Sequence, residues 1–145
     1  MKGTAQGKQA AAKAIRTGKM ANTLAKALAK RDAKRWQFID FLGPKGRESA
    51  GIVDIVAIRK CGKPPLLDGL KKLDLFDIIL IQVKGGSAPS PTADDMQRLR
   101  KVATYYHAQE VVLFEWKEKK KSVFSKLGKA DKWVEASASS LFGQK

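Results

Sequence analysis

Histidine and cysteine are almost absent from this chain of 145 residues, because His107 and Cys61 are the only residues of their types. A single cysteine excludes an internal disulfide, and a single histidine leaves neither a zinc site of Cys/His spacing nor a histidine-based catalytic triad. We expect Cys61 to be a bystander. Nothing pairs with His107 to make it a catalytic base.

Long apolar runs are missing as well. No stretch approaches the roughly 18 apolar residues that a membrane-spanning helix needs, and no leader with a recognisable cleavage site is present. We therefore expect a soluble protein without a membrane partner, located in the cytoplasm or on the nucleoid.

Acidic residues are scarce relative to basic ones: 29 Lys and Arg accompany 14 Asp and Glu, which gives a formal net charge of +15. A polyanionic backbone is the commonest partner for such a charge, because neutralising phosphates releases condensed counterions. We therefore expect nucleic acid as the partner, with an anionic membrane surface as the weaker alternative.

The first 35 residues contain no aromatic side chain and only one acid, Asp32, against ten Lys and Arg. Leu24 and Leu28 form a thin apolar stripe at helical spacing, whereas Gly18 interrupts an earlier helical stretch. We predict a basic arm over residues 1–20, a helix from about 20 to 35, and a single domain over residues 21–145. The basic segment is either a nucleic-acid-binding element or a solvated, partly disordered tail.

From Trp36 onward, short apolar runs alternate with Gly, Pro and charge, a pattern typical of strands and turns. Residues 36–42 are predicted as a first strand and 52–58 as a second, β-branched strand that Asp54 interrupts. A long connection over residues 60–74 then leads to a third strand at 76–83, which ends in Lys84. The second and third strands are thus joined as a wide hairpin.

A helix follows, because Thr92 or Ser90 can cap a segment in which Met96, Leu99 and Ala103 recur at helical spacing. It should end near His107. Residues 110–116 are predicted as a further apolar strand and 130–139 as a final helix. The predicted order of elements is helix, three strands, helix, strand, which indicates an α/β fold.

Gln82 and Lys84 face the same side of their strand, because side chains alternate with a period of two, whereas the Val83 side chain faces the other way. If the second and third strands are antiparallel neighbours, Asp54 lies near this pair. A hard cation such as Mg²⁺ takes carboxylate, amide and carbonyl oxygens, and Asp54, Gln82 and the Val83 carbonyl can supply them. With Lys84 beside it, such a cation can promote cleavage of a phosphodiester bond.

The sequences Ile52-Val53-Asp54-Ile55-Val56-Ala57 and Ile81-Gln82-Val83-Lys84-Gly85-Gly86, separated by a variable connection, resemble the PD-(D/E)XK nuclease superfamily. The resemblance is closest to archaeal Holliday junction resolvases and restriction-type enzymes. It implies a restriction-endonuclease-like αβββαβ core, with a central mixed sheet flanked by helices and here a basic N-terminal helical extension.

The same resemblance implies the activity and the site. It implies a DNA endonuclease that uses Mg²⁺ or Mn²⁺ and acts on DNA, branched DNA included, as a homodimer. Asp54 matches the first acid of the motif, Gln82 the D/E position and Lys84 the lysine. Gln82 departs from the pattern, since an amide replaces a carboxylate and removes one negative charge from the metal site. Val53 replaces the proline that often precedes the acid.

Two other acids lie close in sequence to the second and third strands. Glu48 lies in the loop before the second strand, where it either folds over the metal as a further catalytic residue or is a solvated loop acid. Asp77 is out of phase with Gln82, so we expect it at a strand start or in an ion pair.

The candidate nucleic-acid contacts are all basic: Lys26, Lys30, Arg31, Lys34 and Arg35 on the predicted N-terminal helix, Lys45 and Arg47 in the loop, and Arg98 and Lys101 on the second helix. Two further functions remain open. One is a catalytically inactive nucleic-acid-binding module of the same fold, in which Lys84 contacts phosphate. The other is an RNA-binding or ribosome-associated protein in which Asp54 is only structural.

Overall fold

A computed structural model of the protein describes residues 5–41, 52–86, 89–116 and 121–144. Within the first helix, side chains are described from residue 19 onward. The helices are α1 (Ala5–Asp32), α2 (Ala93–Tyr105) and α3 (Ala138–Phe142), and a 3₁₀ turn covers Lys129–Asp131. The strands are β1 (Gln37–Asp40), β2 (Ile55–Lys60), β3 (Phe76–Gly85), β4 (Glu110–Trp116), β5 (Val123–Leu127) and β6 (Trp133–Ala136).

The six strands form one mixed sheet in the order β1-β2-β3-β4-β5-β6. Only the β3–β4 pair is parallel, and α2 makes the crossover between them. The hairpin of β2 and β3 is antiparallel and pairs Ile55 with Ile81. The predicted α/β fold and its αβββαβ order are thus confirmed, and β5, β6 and α3 extend that core.

Alternation along the strands divides the core between two faces of the sheet. Ile79 and Ile81 pack in one cluster with Ala25 and Ala29 of α1, and with Phe142 of α3. On the other face, Leu80 and Val111 pack with Leu99 of α2. The helices therefore cover opposite faces, and the polar residues that alternate with Ile81 point toward the α2 side.

The first helix differs from the prediction at both ends. It runs without interruption through Gly18 and ends at Asp32, so the predicted break at Gly18 and the predicted end at 35 are both wrong. One glycine costs a helix about 1 kcal/mol relative to alanine, and the Ala-rich sequence around it tolerates that cost. Lys34 and Arg35 consequently lie after the helix, in the turn that leads to β1. No helix in the described ranges is long and apolar enough to cross a membrane.

The predicted helix over 130–139 is also wrong. Ala130 and Asp131 have positive φ angles of 60° and 55°, which no α-helix accommodates, and Trp133–Ala136 then pairs with β5 as strand β6. Only the last part of the segment is helical, because the Ser137 side chain accepts the Ser140 N–H and caps α3.

The short α3 closes one end of the core through Phe142. Its ring makes edge contacts with Trp36, Phe38 and Phe124, at centroid distances of 6.2, 5.2 and 6.0 Å. Gly143 follows it, and a Cβ at this position would lie 2.5 Å from the Ser139 carbonyl oxygen and 3.1 Å from that of Asp32. The close approach of the ends of α1 and α3 therefore requires glycine.

The segment between β2 and β3, residues 61–75, projects from the sheet with its leucines exposed, and we call it the leucine-rich connection. Leu66 is fully exposed, and the other large apolar side chains at this end of the hairpin are exposed as well: Leu67, Leu70, Leu73, Leu75 and Phe76. The two ends of this connection meet at the base of the hairpin, where the Cys61 N–H donates to the Leu75 carbonyl at 2.7 Å.

Candidate active site

Asp54 immediately precedes β2 and is held by backbone hydrogen bonds to both neighbouring strands. Its N–H donates to the Ile81 carbonyl of β3 at 2.9 Å, and its carbonyl accepts the N–H of Phe41, which follows β1, also at 2.9 Å. In a regular strand, the N–H and carbonyl of one residue point to the same neighbour. The chain is therefore distorted at Asp54, which ends the regular pairing of β2 with β3 there.

The Asp54 carboxylate replaces a backbone carbonyl as the acceptor at the point where the pairing of β2 with β3 ends. Its Oδ2 accepts the Val83 N–H at 2.6 Å. Burial raises the pKa of this carboxyl from 3.8 to about 6, although the Val83 hydrogen bond and the positive charge of Lys84 both lower it. Because the desolvation of the charged form dominates, the site holds a carboxylate that is insufficiently compensated by the protein itself.

Gln82, like Asp54, is a polar residue buried in this part of the sheet. It is only 2% exposed, and among the described residues its Oε1 has no hydrogen-bond partner. A buried acceptor without a partner is uncommon, and each instance calls for an explanation. Gln82 lies on the α2 side of the sheet, because it alternates with Ile81, which packs on the α1 side.

The Val83 carbonyl is oriented toward the same place. The Val83 N–H points at Asp54, and the carbonyl of a strand residue projects to the same side as its N–H. The described part of the chain contains no group of three His, Cys, Asp or Glu residues able to hold a metal ion. A hard cation that takes one carboxylate, one amide oxygen, one backbone carbonyl and several waters fits these donors nonetheless.

Lys84 is half-buried on the same face as Gln82, and its positive charge lowers the pKa of both Asp54 and Asp95. The larger cause of the lowered pKa of Asp95 is the Thr92 N–H, because these two residues form a capping box at the start of α2. The N-terminus of α2 therefore lies close to Lys84. The lysine therefore has two acids within electrostatic reach, one immediately before β2 and the other in the first turn of α2.

The pairing of β3 with β4 adds an acid that the sequence analysis missed. Glu115 is the direct partner of Lys84 across the parallel pair, so the two side chains project from the same face. Its Oε2 accepts a long hydrogen bond of 3.4 Å from the Ser90 hydroxyl. No local pattern around Glu115 signals this position, because it depends on the register that the α2 crossover sets.

The structure brings Asp54, Gln82, Val83 and Lys84 together, and it places Asp77 elsewhere. The Asp77 Oδ2 accepts from Arg59 Nε at 3.2 Å on the opposite face of the sheet, so the predicted ion pair is confirmed. The loop residues Lys45, Arg47 and Glu48 lie outside the described residues.

The remaining basic candidates do not form one surface. Lys26 pairs with Asp40 at 2.9 Å, while Lys30 and Arg31 are exposed at the end of α1. Arg98 and Lys101 are exposed on α2, which covers the other face of the sheet. The two groups of cations therefore lie on opposite sides of the molecule.

The strand order, the parallel β3–β4 pair and the helices on both faces define an α/β protein with an αβββαβ core. The chain is similar to a solved structure of Hjc, a Holliday junction resolvase from the archaeal hyperthermophile Archaeoglobus fulgidus, with a TM-score of 0.42 and 20% sequence identity over 83% of this chain and 88% of Hjc. No protein-family model and no curated protein matches the chain.

Proposed function

We propose that this chain is a metal-dependent DNA endonuclease of the PD-(D/E)XK superfamily, of the Holliday junction resolvase or restriction type, which hydrolyses phosphodiester bonds. The observation that carries the proposal is the hydrogen bond of 2.6 Å that the Asp54 carboxylate accepts from the Val83 N–H, between Gln82 and Lys84. A buried carboxylate of raised pKa and a buried amide oxygen without a described partner both destabilise the fold. A bound cation would balance the charge of the carboxylate and would give the amide oxygen a partner.

In this proposal the Asp54 carboxylate, the Gln82 amide oxygen and the Val83 carbonyl hold Mg²⁺ or Mn²⁺. When bound, the ion would stabilise charge on the phosphoryl group and lower the pKa of a water molecule. Lys84 would balance the charge of the phosphoryl oxygens and orient the water from the same face as Gln82. Hydrolysis forms a bond from the water oxygen to phosphorus and breaks the bond to one ester oxygen.

The proposal is tested with four-way junction, duplex and single-stranded DNA, each incubated with the full chain in Mg²⁺, Mn²⁺ or EDTA. Cleavage should require the cation and should be lost in Asp54→Asn and Lys84→Met, while DNA binding persists. Glu135→Gln and Lys126→Met are matched controls, because both residues are exposed on other strands. They should cleave like the wild type.

Binding to every substrate without cleavage under any of these conditions would refute the enzyme. The same assay tests Glu48, which we include as a further catalytic acid. Glu48→Gln should lower the cleavage rate without lowering DNA affinity, and an unchanged rate would assign it to the loop surface.

A second candidate is a catalytically inactive nucleic-acid-binding module, which the amide at position 82 favours. A module of this kind needs the cations but not the metal. Its DNA affinity would be unchanged by Asp54→Asn and reduced by Lys84→Met, whatever the divalent ion.

We further propose branched DNA as the substrate and a homodimer as the active form, because a two-fold symmetric junction offers two equivalent cuts. Light scattering with and without a four-way junction tests the dimer, and two chains per junction are expected. A monomer bound to the junction would contradict this.

The basic N-terminal segment is proposed as a phosphate contact. Removing residues 1–18 keeps the buried Ala21, Ala25 and Ala29 of α1, whereas removing residues 1–35 would take part of the core away. The shorter deletion removes four cations, Lys2, Lys8, Lys13 and Arg16. It should flatten the dependence of DNA affinity on salt, and an unaltered slope would exclude that contact.

A further inference from the structure

A cavity lined mainly by charged residues lies on the α1 side of the sheet, at the far end of β2 and β3 from Asp54. It has a volume of about 480 Å³, and Arg35, Arg59, Lys63, Lys72 and Asp77 are among the residues that line it. Arg59 is five residues from Asp54, which is about 16 Å along a strand. Arg59 also alternates with Ala57, whose side chain packs on the α1 side. The cavity is therefore separate from the candidate active site.

The charge of this cavity is unbalanced. Four cationic side chains line it against one carboxylate, and that carboxylate is already paired with Arg59 at 3.2 Å. In the part of the chain that the structure describes, Arg35, Lys63 and Lys72 have no ion-pair partner. Like charges that are brought together around a cavity repel one another, so the fold alone does not explain this arrangement.

Arg59 forms a rigid base for the cavity. Its side chain is 8% exposed, its Nη1 donates to the Lys34 and Gln144 carbonyls, and its guanidinium carbon lies 4.4 Å from the centroid of the Trp36 ring. These contacts join the end of α1, the C-terminal segment and β2. The geometry around the cavity is consequently fixed by the core, although three of its cations come from turns.

Arg35 reaches the cavity through an unfavourable backbone conformation. Its φ angle is 65°, in the left-handed region that residues other than glycine avoid. The preceding Lys34 N–H donates to the Phe142 carbonyl at 2.8 Å, which anchors the turn. The Arg35 guanidinium lies beside Gly62, where a Cβ would be 3.5 Å from Nη2. Strain of this kind is found where function requires a particular side-chain position.

We propose that this cavity is an oxyanion site that binds a phosphate group through Arg35, Lys63 and Lys72, above the fixed guanidinium of Arg59. Planar guanidinium and mobile ammonium groups are the side chains that proteins use for phosphate. The phosphate belongs either to a nucleic-acid backbone or to a free ion or nucleotide. A backbone phosphate here would place nucleic acid on the face of the sheet opposite Gln82 and Lys84.

The first experiment titrates the full chain with inorganic phosphate by calorimetry, at constant ionic strength against chloride. Binding should weaken by at least about tenfold in the triple variant Arg35→Gly, Lys63→Gln, Lys72→Gln, since the loss of even one hydrogen bond from a charged donor weakens binding by roughly that factor. Arg31→Gln is the control, because Arg31 is exposed near the end of α1 and does not line the cavity. Asp54→Asn should bind phosphate like the wild type, which separates this site from the proposed nuclease site.

Folding of the variants is checked by thermal unfolding. Arg35→Gly should not lower the midpoint, because glycine adopts the left-handed conformation without strain. A loss of phosphate binding in this single variant is therefore attributable to the guanidinium.

The second experiment identifies the source of the phosphate by measuring duplex and junction affinity over a salt series. If the backbone is the ligand, the triple variant should reduce the slope of log affinity against log salt by about two to three. If the slope is unchanged while binding of phosphate or of a nucleoside triphosphate is lost, the ligand is a free anion. If the wild type binds no phosphate and the variant leaves the slope unchanged, the proposal is overturned.

Discussion

Replacing Asp54 with Asn should stabilise the metal-free protein at neutral pH while it abolishes the proposed activity. The carboxyl has a pKa of about 6 in the fold instead of 3.8, mainly because it is buried. The folded state therefore holds its proton more tightly than the unfolded state. Stability falls as the pH rises from about 4 to 6 and stays low above that range.

The magnitude follows from the two pKa values. At 1.36 kcal/mol per pKa unit, the difference corresponds to about 3 kcal/mol. An Asn side chain has nearly the same shape, carries no charge, and can still accept the Val83 N–H. Because about half of the unfolded-state carboxyl is already ionised at pH 4, the advantage of Asp54→Asn over the wild type should grow by about 2.5 kcal/mol between pH 4 and pH 7.5. This is a large part of the roughly 5–15 kcal/mol that is typical of a domain.

Urea unfolding in EDTA measures this difference, with tryptophan fluorescence as the signal. Trp36 is buried in the core and should report the transition. Glu135→Gln, an exposed carboxylate converted to an amide, should show no comparable growth with pH. A difference between Asp54→Asn and the wild type that is the same at pH 4 and pH 7.5 would refute the reasoning, because the carboxylate would then not be destabilised by burial.

Three further predictions concern single positions. Gln82→Glu should tighten Mg²⁺ binding at pH 7.5, measured by calorimetry, and an unchanged affinity would exclude residue 82 as a ligand. Thr92→Ala removes the side-chain oxygen that accepts the Asp95 N–H, whereas the backbone N–H of residue 92 still donates to the Asp95 carboxylate. The substitution should lower the free energy of unfolding by about 1 kcal/mol, and a loss well below about 0.5 kcal/mol in urea would show that solvent replaces the cap. Leu99→Ala leaves a cavity at the buried face of α2 and should cost about 2–5 kcal/mol. Leu66→Ala, at a fully exposed position, should change stability by less than about 0.5 kcal/mol.

The sequence was informative where local pattern and tertiary structure agree. Residues 52–58 and 76–83 are β-branched runs, and their pairing as β2 and β3 brings Asp54 to Val83. The cap at Thr92 and the apolar spacing around Leu99 predicted α2 within a few residues. Each of these signals lies within one segment of the chain.

Features that depend on contacts between distant segments were missed. β5 and β6 have only five and four residues, and each contains a charged side chain, so neither is a distinct apolar run and both become strands by pairing with β4 and with each other. Glu115 joins Lys84 through the register of a parallel pair. Arg59 and Arg35 line the same cavity because the end of α1, β2 and the C-terminal segment converge there.

The leucine-rich connection has a consequence for how the protein behaves at different salt concentrations. Residues 61–75 contain three lysines and two aspartates and carry a net charge of only +1, so the rest of the chain carries +14 of the +15. Repulsion between copies should keep the exposed leucines apart in dilute buffer, and added salt screens that repulsion without weakening apolar contacts. Salt that releases the protein from nucleic acid should therefore promote contact between its copies.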